Sequence, residues 1–183
     1  MKKRNNVIII LSIVAIALFC VVQFVMLPQQ RLKANQYNLA QQEVTTHDLQ
    51  SILPYKNKYM GNASNNINLF NHLPLSDLKH SFSQNPKTFT FEVDFDGKST
   101  DIQERQMKKE ILYSATSAFA LIDNLQTIRY TYTDKTYVVK RSSVEKLHGD
   151  LHNLLNESSW HTMQGELKND KDVDKAFLIL LSN

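Results

Sequence analysis

From Val7 to Leu27 the chain reads VIIILSIVAIALFCVVQFVML, interrupted only by the uncharged Ser12 and Gln23. These twenty-one residues, at about 1.5 Å of rise each, make a helix of roughly 31 Å, enough to cross a hydrocarbon core of about 30 Å. A helix satisfies its own backbone hydrogen bonds in lipid, so the pattern predicts a spanning segment. A cleaved signal peptide would have a shorter apolar core and a small-residue cleavage site, and Pro28 to Lys33 offers no such pattern. A lipidated cysteine would follow a small residue. Phe19 precedes Cys20 instead, and apolar sequence continues beyond it.

The polar segment Gln29 to Thr46 has sparse Leu32, Tyr37, Leu39 and Val44, and reads as a stalk, helical or frayed. The chain therefore divides into a cytoplasmic tail (1–6), a transmembrane helix (7–27), a linker (28–46) and a domain (47–183).

Within the domain, a short helix with Leu49, Ile52 and Leu53 is expected before Pro54. Gly61 suits a turn, and Asn62 or Ser64 can cap a second helix that buries Ile67, Leu69 and Phe70. Phe89, Phe91, Val93 and Phe95 alternate with polar residues, the pattern of a strand with one buried face. Met107, Ile111, Leu112, Ala115, Ala118, Phe119 and Ile122 recur at helical spacing over Glu104 to Asn124, with Asp101 or Thr100 as cap. Two strands follow, one through Ile128, Tyr130 and Tyr132 and one over Thr136 to Arg141. Ser142 and Glu145 form a capping-box pattern that starts a helix through Val144, Leu147, Leu151, Leu154 and Leu155. Periodicity leaves residues 176–181 open between strand and helix, with a lean to strand. The fold class is α+β: an N-terminal transmembrane helix, then a small mixed sheet packed against helices.

Charge changes this picture in one respect. Lys2, Lys3 and Arg4 precede the apolar run with no acidic counterpart, which favours a cytoplasmic N-terminus and an outer domain. They are three of 21 basic residues; the remaining 18 equal the 18 acidic ones, so the chain beyond them is neutral. A nucleic-acid binder needs a basic stripe, so that partner class is excluded. The lone cysteine, Cys20, sits inside the apolar run, and the domain has no disulfide framework. A cysteine-free outer domain fits a Gram-positive bacterium better than an animal secretory pathway.

The candidate chemistry is thin. Gly97-Lys98-Ser99 lies between strand and helix, but the phosphate loop's first glycine position is Glu92, so a tight turn is expected. His148 and His152 are four apart on the expected helix and could meet. No glutamate follows the first histidine, so they make at most a weak metal site, with Glu157 or His161 as third ligand. Ser76 and Ser143 each begin an S-x-x-K match without the accompanying elements of penicillin-recognising enzymes. Glu92, Asp94 and Asp96 are a fragment of a calcium loop. No cofactor is expected.

Two stretches resemble a bacterial family of outer-face domains, domain of unknown function family 4825. One is Leu53 to Leu75, with Tyr59-x-Gly61-x-x-Ser64 and then Leu73-Pro74-Leu75. The other is Leu112 to Tyr132, with its Ala-x-Phe-Ala-Leu-Ile-Asp-Asn core. The resemblance implies low-GC Gram-positive bacteria and a membrane- or lipid-anchored outer domain, and it supplies no catalytic residues. The expected function is a non-enzymatic binding or sensing module. It would be held in the bilayer by residues 7–27 and meet a protein or envelope partner through Tyr59, Gly61, Asn62, Ser64, Leu73, Pro74 and Leu75. The alternatives are an envelope hydrolase or metal-dependent enzyme centred on His148, Asp150 and His152, and a structural subunit of a membrane complex using Ser12 and Gln23 as helix contacts.

Overall fold

The computed structural model describes residues 2–75 and 78–182. Two compact units emerge, Met1–Ala40 and Gln41–Asn183.

The first is helical: α1 (Lys2–Val21), a π turn (Val22–Met26) and α2 (Leu27–Gln41). The π turn has a local cause. Pro28 has no N–H to give to the carbonyl four residues back, and its ring crowds the preceding turn. The helix widens there, and Leu27 N–H reaches the carbonyl of Val22. This stretch is long and apolar enough to cross a membrane, by length and composition. Leu11, Ile13, Phe19 and Phe24 are all exposed in it. The Ser12 side chain lies outside the described residues.

The second unit is α+β, as the sequence predicts. Its four-stranded sheet runs in the order β1 (His80–Asn85), β2 (Thr90–Phe95), β3 (Thr127–Thr131), β4 (Thr136–Lys140). The β1–β2 and β3–β4 pairs are antiparallel and β2–β3 is parallel. Helix α5 (Glu104–Leu121) makes the crossover between the parallel strands. One sheet face buries Phe91 beside Ile128 and Val139, and Val93 beside Tyr130 and Tyr137. The other face carries Glu92 and Arg129, paired at 3.0 Å.

Every residue of α5 from Glu110 to Leu121 is buried. Its small residues Ser114, Ala115, Ser117 and Ala118 let neighbours approach closely. The Tyr130 hydroxyl lies 2.7 Å from Ser114 Oγ, which in turn donates to the Glu110 carbonyl. Helices α3 (Leu49–Ile52), α4 (Ala63–His72), α6 (Arg141–His148), α7 (Glu157–Glu166) and α8 (Asp170–Leu181) complete the unit.

Several expectations need correction. Residues 176–181 are helical: Val173, Phe177 and Leu180 are buried at helical spacing, and the Asn169 side chain caps the start of α8. Strand β1 has no counterpart in the sequence reading, because His-Ser-Phe-Ser-Gln-Asn offers only one apolar side chain. Neither Asp101 nor Thr100 caps α5, which begins after Gln103; Asp101 accepts from Lys98 N–H instead. Ser142 does not cap α6 either. The helix starts one residue earlier, and Glu145 faces Arg141 at 3.7 Å. Gly149, at φ 73°, stops α6 after His148, and Leu151–Leu154 forms a separate 3₁₀ turn.

Candidate functional site

The two stretches that carry the family resemblance meet at one end of the sheet. Asn57 forms a parallel bridge with Ile122. Its N–H donates to the Leu121 carbonyl at 2.8 Å, and its carbonyl accepts from Asp123 N–H at 3.1 Å. Met60 N–H donates to the Asn124 side-chain oxygen at 2.6 Å. Below this junction the buried Asn66 amide donates to the Met60 carbonyl at 2.6 Å and to Gln84 Oε1 at 2.9 Å. Its own Oδ1 is buried with no partner.

Arg141 fixes the loop after α5. Its Nε donates to the Leu125 carbonyl at 2.8 Å, and its Nη2 to those of Phe119 and Ile122 at 2.8 and 2.6 Å. The Phe119 and Ile122 carbonyls lie at the end of α5 and that of Leu125 in the loop beyond it, and a half-buried guanidinium is a suitable donor to them. From the same loop, Gln126 N–H and Thr127 N–H both donate to the Phe89 carbonyl, at 2.9 and 3.2 Å.

Phe89 is the residue that sequence reasoning misplaced. Alternation puts it on the buried face of β2. In the structure the strand begins at Thr90, and Phe89 lies in the β1–β2 turn at φ 51°, with its side chain 41% exposed. A positive φ is strained for an aromatic residue. Pro86 in the turn was the available signal, since a proline before a strand marks where pairing stops.

The expected recognition residues divide into two groups. Tyr59 is 59% exposed, and Gly61, Asn62 and Ser64 are exposed beside it. Asn62 caps α4 through its side chain, accepting from Asn65 N–H. A Cβ at Gly61 would touch nothing within 4 Å. The Lys58 ammonium lies 5.6 Å from the Tyr59 ring centre. Leu73, by contrast, is 5% exposed, Pro74 is buried and Leu75 is half-buried. Leu73 and Leu75 border an open groove with Phe70, Leu78 and His80. Leu73 belongs to the core more than to any face.

The two candidate metal-ligating histidines do not share a helix. His148 ends α6, where it lines a cavity of about 40 Å³ with Leu112, Thr116 and Met163. Burial lowers its pKa. His152 lies beyond Gly149 between two carboxylates, 3.4 Å from Asp123 Oδ1 and 3.3 Å from Asp150 Oδ1. The backbone N–H of His152 helps hold the Asp150 carboxyl below its ordinary value. His161 pairs with Glu157 at 3.6 Å. Among the described residues, no group of three His, Cys, Asp or Glu could hold a metal ion.

The remaining motifs have structural partners. Ser99 gives its N–H and hydroxyl to Asp134, at 2.7 and 2.9 Å, and Lys98 gives its N–H to Asp101. The donors that would cradle a phosphate at Gly97-Lys98-Ser99 are thus occupied by carboxylates. Ser143 is buried, and its hydroxyl points to the Ser182 carbonyl at 3.4 Å. Ser76 lies outside the described residues. Glu92 is engaged by Arg129 and by Ser83.

A second polar cluster lies where the chain enters this unit. His47 is 1% exposed. Its Nδ1 accepts from the Tyr113 hydroxyl at 2.8 Å, and its Nε2 donates to the His72 carbonyl at 2.7 Å. Gln164 donates to the carbonyls of Val44 and His47, at 2.9 and 2.8 Å. Trp160 packs edge-on against Tyr113. Burial lowers the His47 pKa and raises that of Tyr113. Burial favours the neutral imidazole, and with Nε2 donating to a carbonyl the neutral ring accepts at Nδ1.

No curated protein and no solved structure matches the chain. Residues 52–145, about half of its length, match the family described as a domain of unknown function (DUF4825), and the chain belongs to that family.

Proposed function

We propose that this chain is a single-pass membrane protein that holds a non-enzymatic binding or sensing domain on the outer face of a Gram-positive bacterial membrane. The observation that carries this reading is the exposed apolar helix. Side chains such as Leu11, Ile13, Phe19 and Phe24 stand in solvent along a helix of spanning length, and lipid is the solvent that favours such a surface. Lys2, Lys3 and Arg4 ahead of it favour retention of the N-terminus in the cytoplasm.

The recognition surface is the exposed group Tyr59, Gly61, Asn62 and Ser64, together with Phe89 across the Asn124 loop. The separation of His148 from His152 by Gly149 supports binding over catalysis, because a catalytic or metal centre there needs both side chains at one point.

Fractionation and protease accessibility test this. The chain should sediment with membranes and resist carbonate extraction. Protease added to protoplasts should remove residues after about 41. Protection of the C-terminal unit, or a mature product that starts after Leu27, would overturn the proposal.

A further inference from the structure

We infer that the face carrying Tyr59 and Phe89 binds an N-acetylated glycan strand of the cell wall, with the two rings as stacking platforms for its sugars. This deepens the binding reading above and rests on it. Among the described residues of the second unit, the exposed large apolar side chains are Tyr59, Phe89, Val138 and Leu178, and the two aromatic ones flank a single loop. Met60, next to Tyr59, donates to Asn124, and Gln126, two residues on, donates to Phe89.

The surface around the rings is rich in amides. Asn62, Asn85 and Gln126 are exposed, and Asn57, Gln84 and Asn124 are half-buried. A pyranose ring has an apolar C–H face and a rim of hydroxyl and acetamido groups. An exposed aromatic ring receives the first. The second meets the side-chain amide N–H groups of Asn57, Asn62, Asn85 and Asn124, whose oxygens already accept from backbone N–H groups.

Two further observations point to a ligand. Phe89 is held at φ 51° by two N–H donors on its carbonyl, yet its ring lies outside the core. Strain that places a ring in solvent gains nothing for packing. Gly61 has neither a positive φ nor a neighbour that would collide with a Cβ. Its bareness leaves the backbone beside Tyr59 open to close approach. Other occupants fit less well. A helical peptide needs an apolar groove, and the groove at Leu73 and Leu75 is lined by other residues. A nucleic acid needs a basic stripe, and this unit has 16 basic residues against 18 acidic ones.

The test is titration of the full chain, in detergent micelles, with chitotetraose. Binding is followed by calorimetry and by amide chemical shifts. The inference expects shifts at Tyr59–Asn62, Asn85–Phe89 and Asn124–Gln126. Affinity should fall at least about tenfold in Tyr59→Ala and in Phe89→Gly, and stay unchanged in Leu178→Ser. Circular dichroism confirms that each variant is folded. A silent titration, equal binding by both ring variants, loss in Leu178→Ser, or shifts along β1 with a wall peptide in place of the sugar would each overturn it. The titration does not depend on where the protein resides, so a failed localisation and a failed glycan reading are separate results.

Discussion

The His47 cluster and the Tyr59–Phe89 face are built from similar parts: aromatic rings, carboxamides and backbone carbonyls drawn together from distant parts of the chain. They differ in exposure and strain. Around His47 the rings of His47, Tyr113 and Trp160 are all buried; both imidazole nitrogens have partners and Trp160 Nε1 has none. At the other end Tyr59 and Phe89 stand in solvent, one of them at positive φ, above an Asn66 oxygen with no partner. A buried, closely packed cluster explains itself by the stability it confers, even with one buried donor unpaired at Trp160 Nε1. A strained, exposed one does not, and that is the reason to place function there.

The contrast can be broken or sharpened by experiment. Trp160→Ala should cost roughly 3–5 kcal/mol, the usual penalty for removing a fully buried large aromatic. Chemical denaturation of the purified protein would measure it, and a loss under about 1 kcal/mol would mean that this region is not the rigid one.

The next effect is of pH. Burial makes native His47 and His148 bind a proton less readily than the ordinary histidine value of 6.5. The unfolded chain therefore takes up more protons as pH falls below about 6.5, and stability drops with it. Above that value the contribution is fully present. Melting temperatures followed from about pH 8 to about pH 5 should decline, and the slope should be shallower in His47→Gln, with His148 supplying the remainder.

Phe89→Gly should leave stability within about 1 kcal/mol of wild type, because relief of a positive φ offsets the added freedom of glycine. A loss near that of a core phenylalanine would show that the ring packs in solution, and the exposed face would lose its rationale. Gly61→Ala should change stability by less than about 0.5 kcal/mol, since the added methyl group meets nothing. If it nevertheless weakens ligand binding, close approach to that backbone is confirmed by the one variant that leaves the fold undisturbed.

Legibility in the sequence followed the range of the interactions. Strands β2, β3 and β4 could be read because each buries alternate residues, and helix α5 because its larger apolar residues recur at helical spacing, although it is buried on all sides from Glu110 to Leu121. Asn62 was legible as a cap because capping is local. Strand β1 was not, because an edge strand with one half-buried Phe82 has almost no pattern to show. Helix α8 was ambiguous because a short apolar run has no period of its own, and only packing against α5 and β4 decides it.

What the chain determined by itself is its division into an apolar helix and an α+β unit. Hydrophobic length, charge placement and side-chain period are local quantities that no distant contact can reverse. Only the tertiary structure decided that Met60 and Asn124, 64 positions apart in the chain, share one hydrogen-bonded junction, that Phe89 leaves the core, and that Leu73 enters it. Those outcomes depend on which backbone groups find partners across the fold, and a side chain's neighbours in sequence carry no record of that choice.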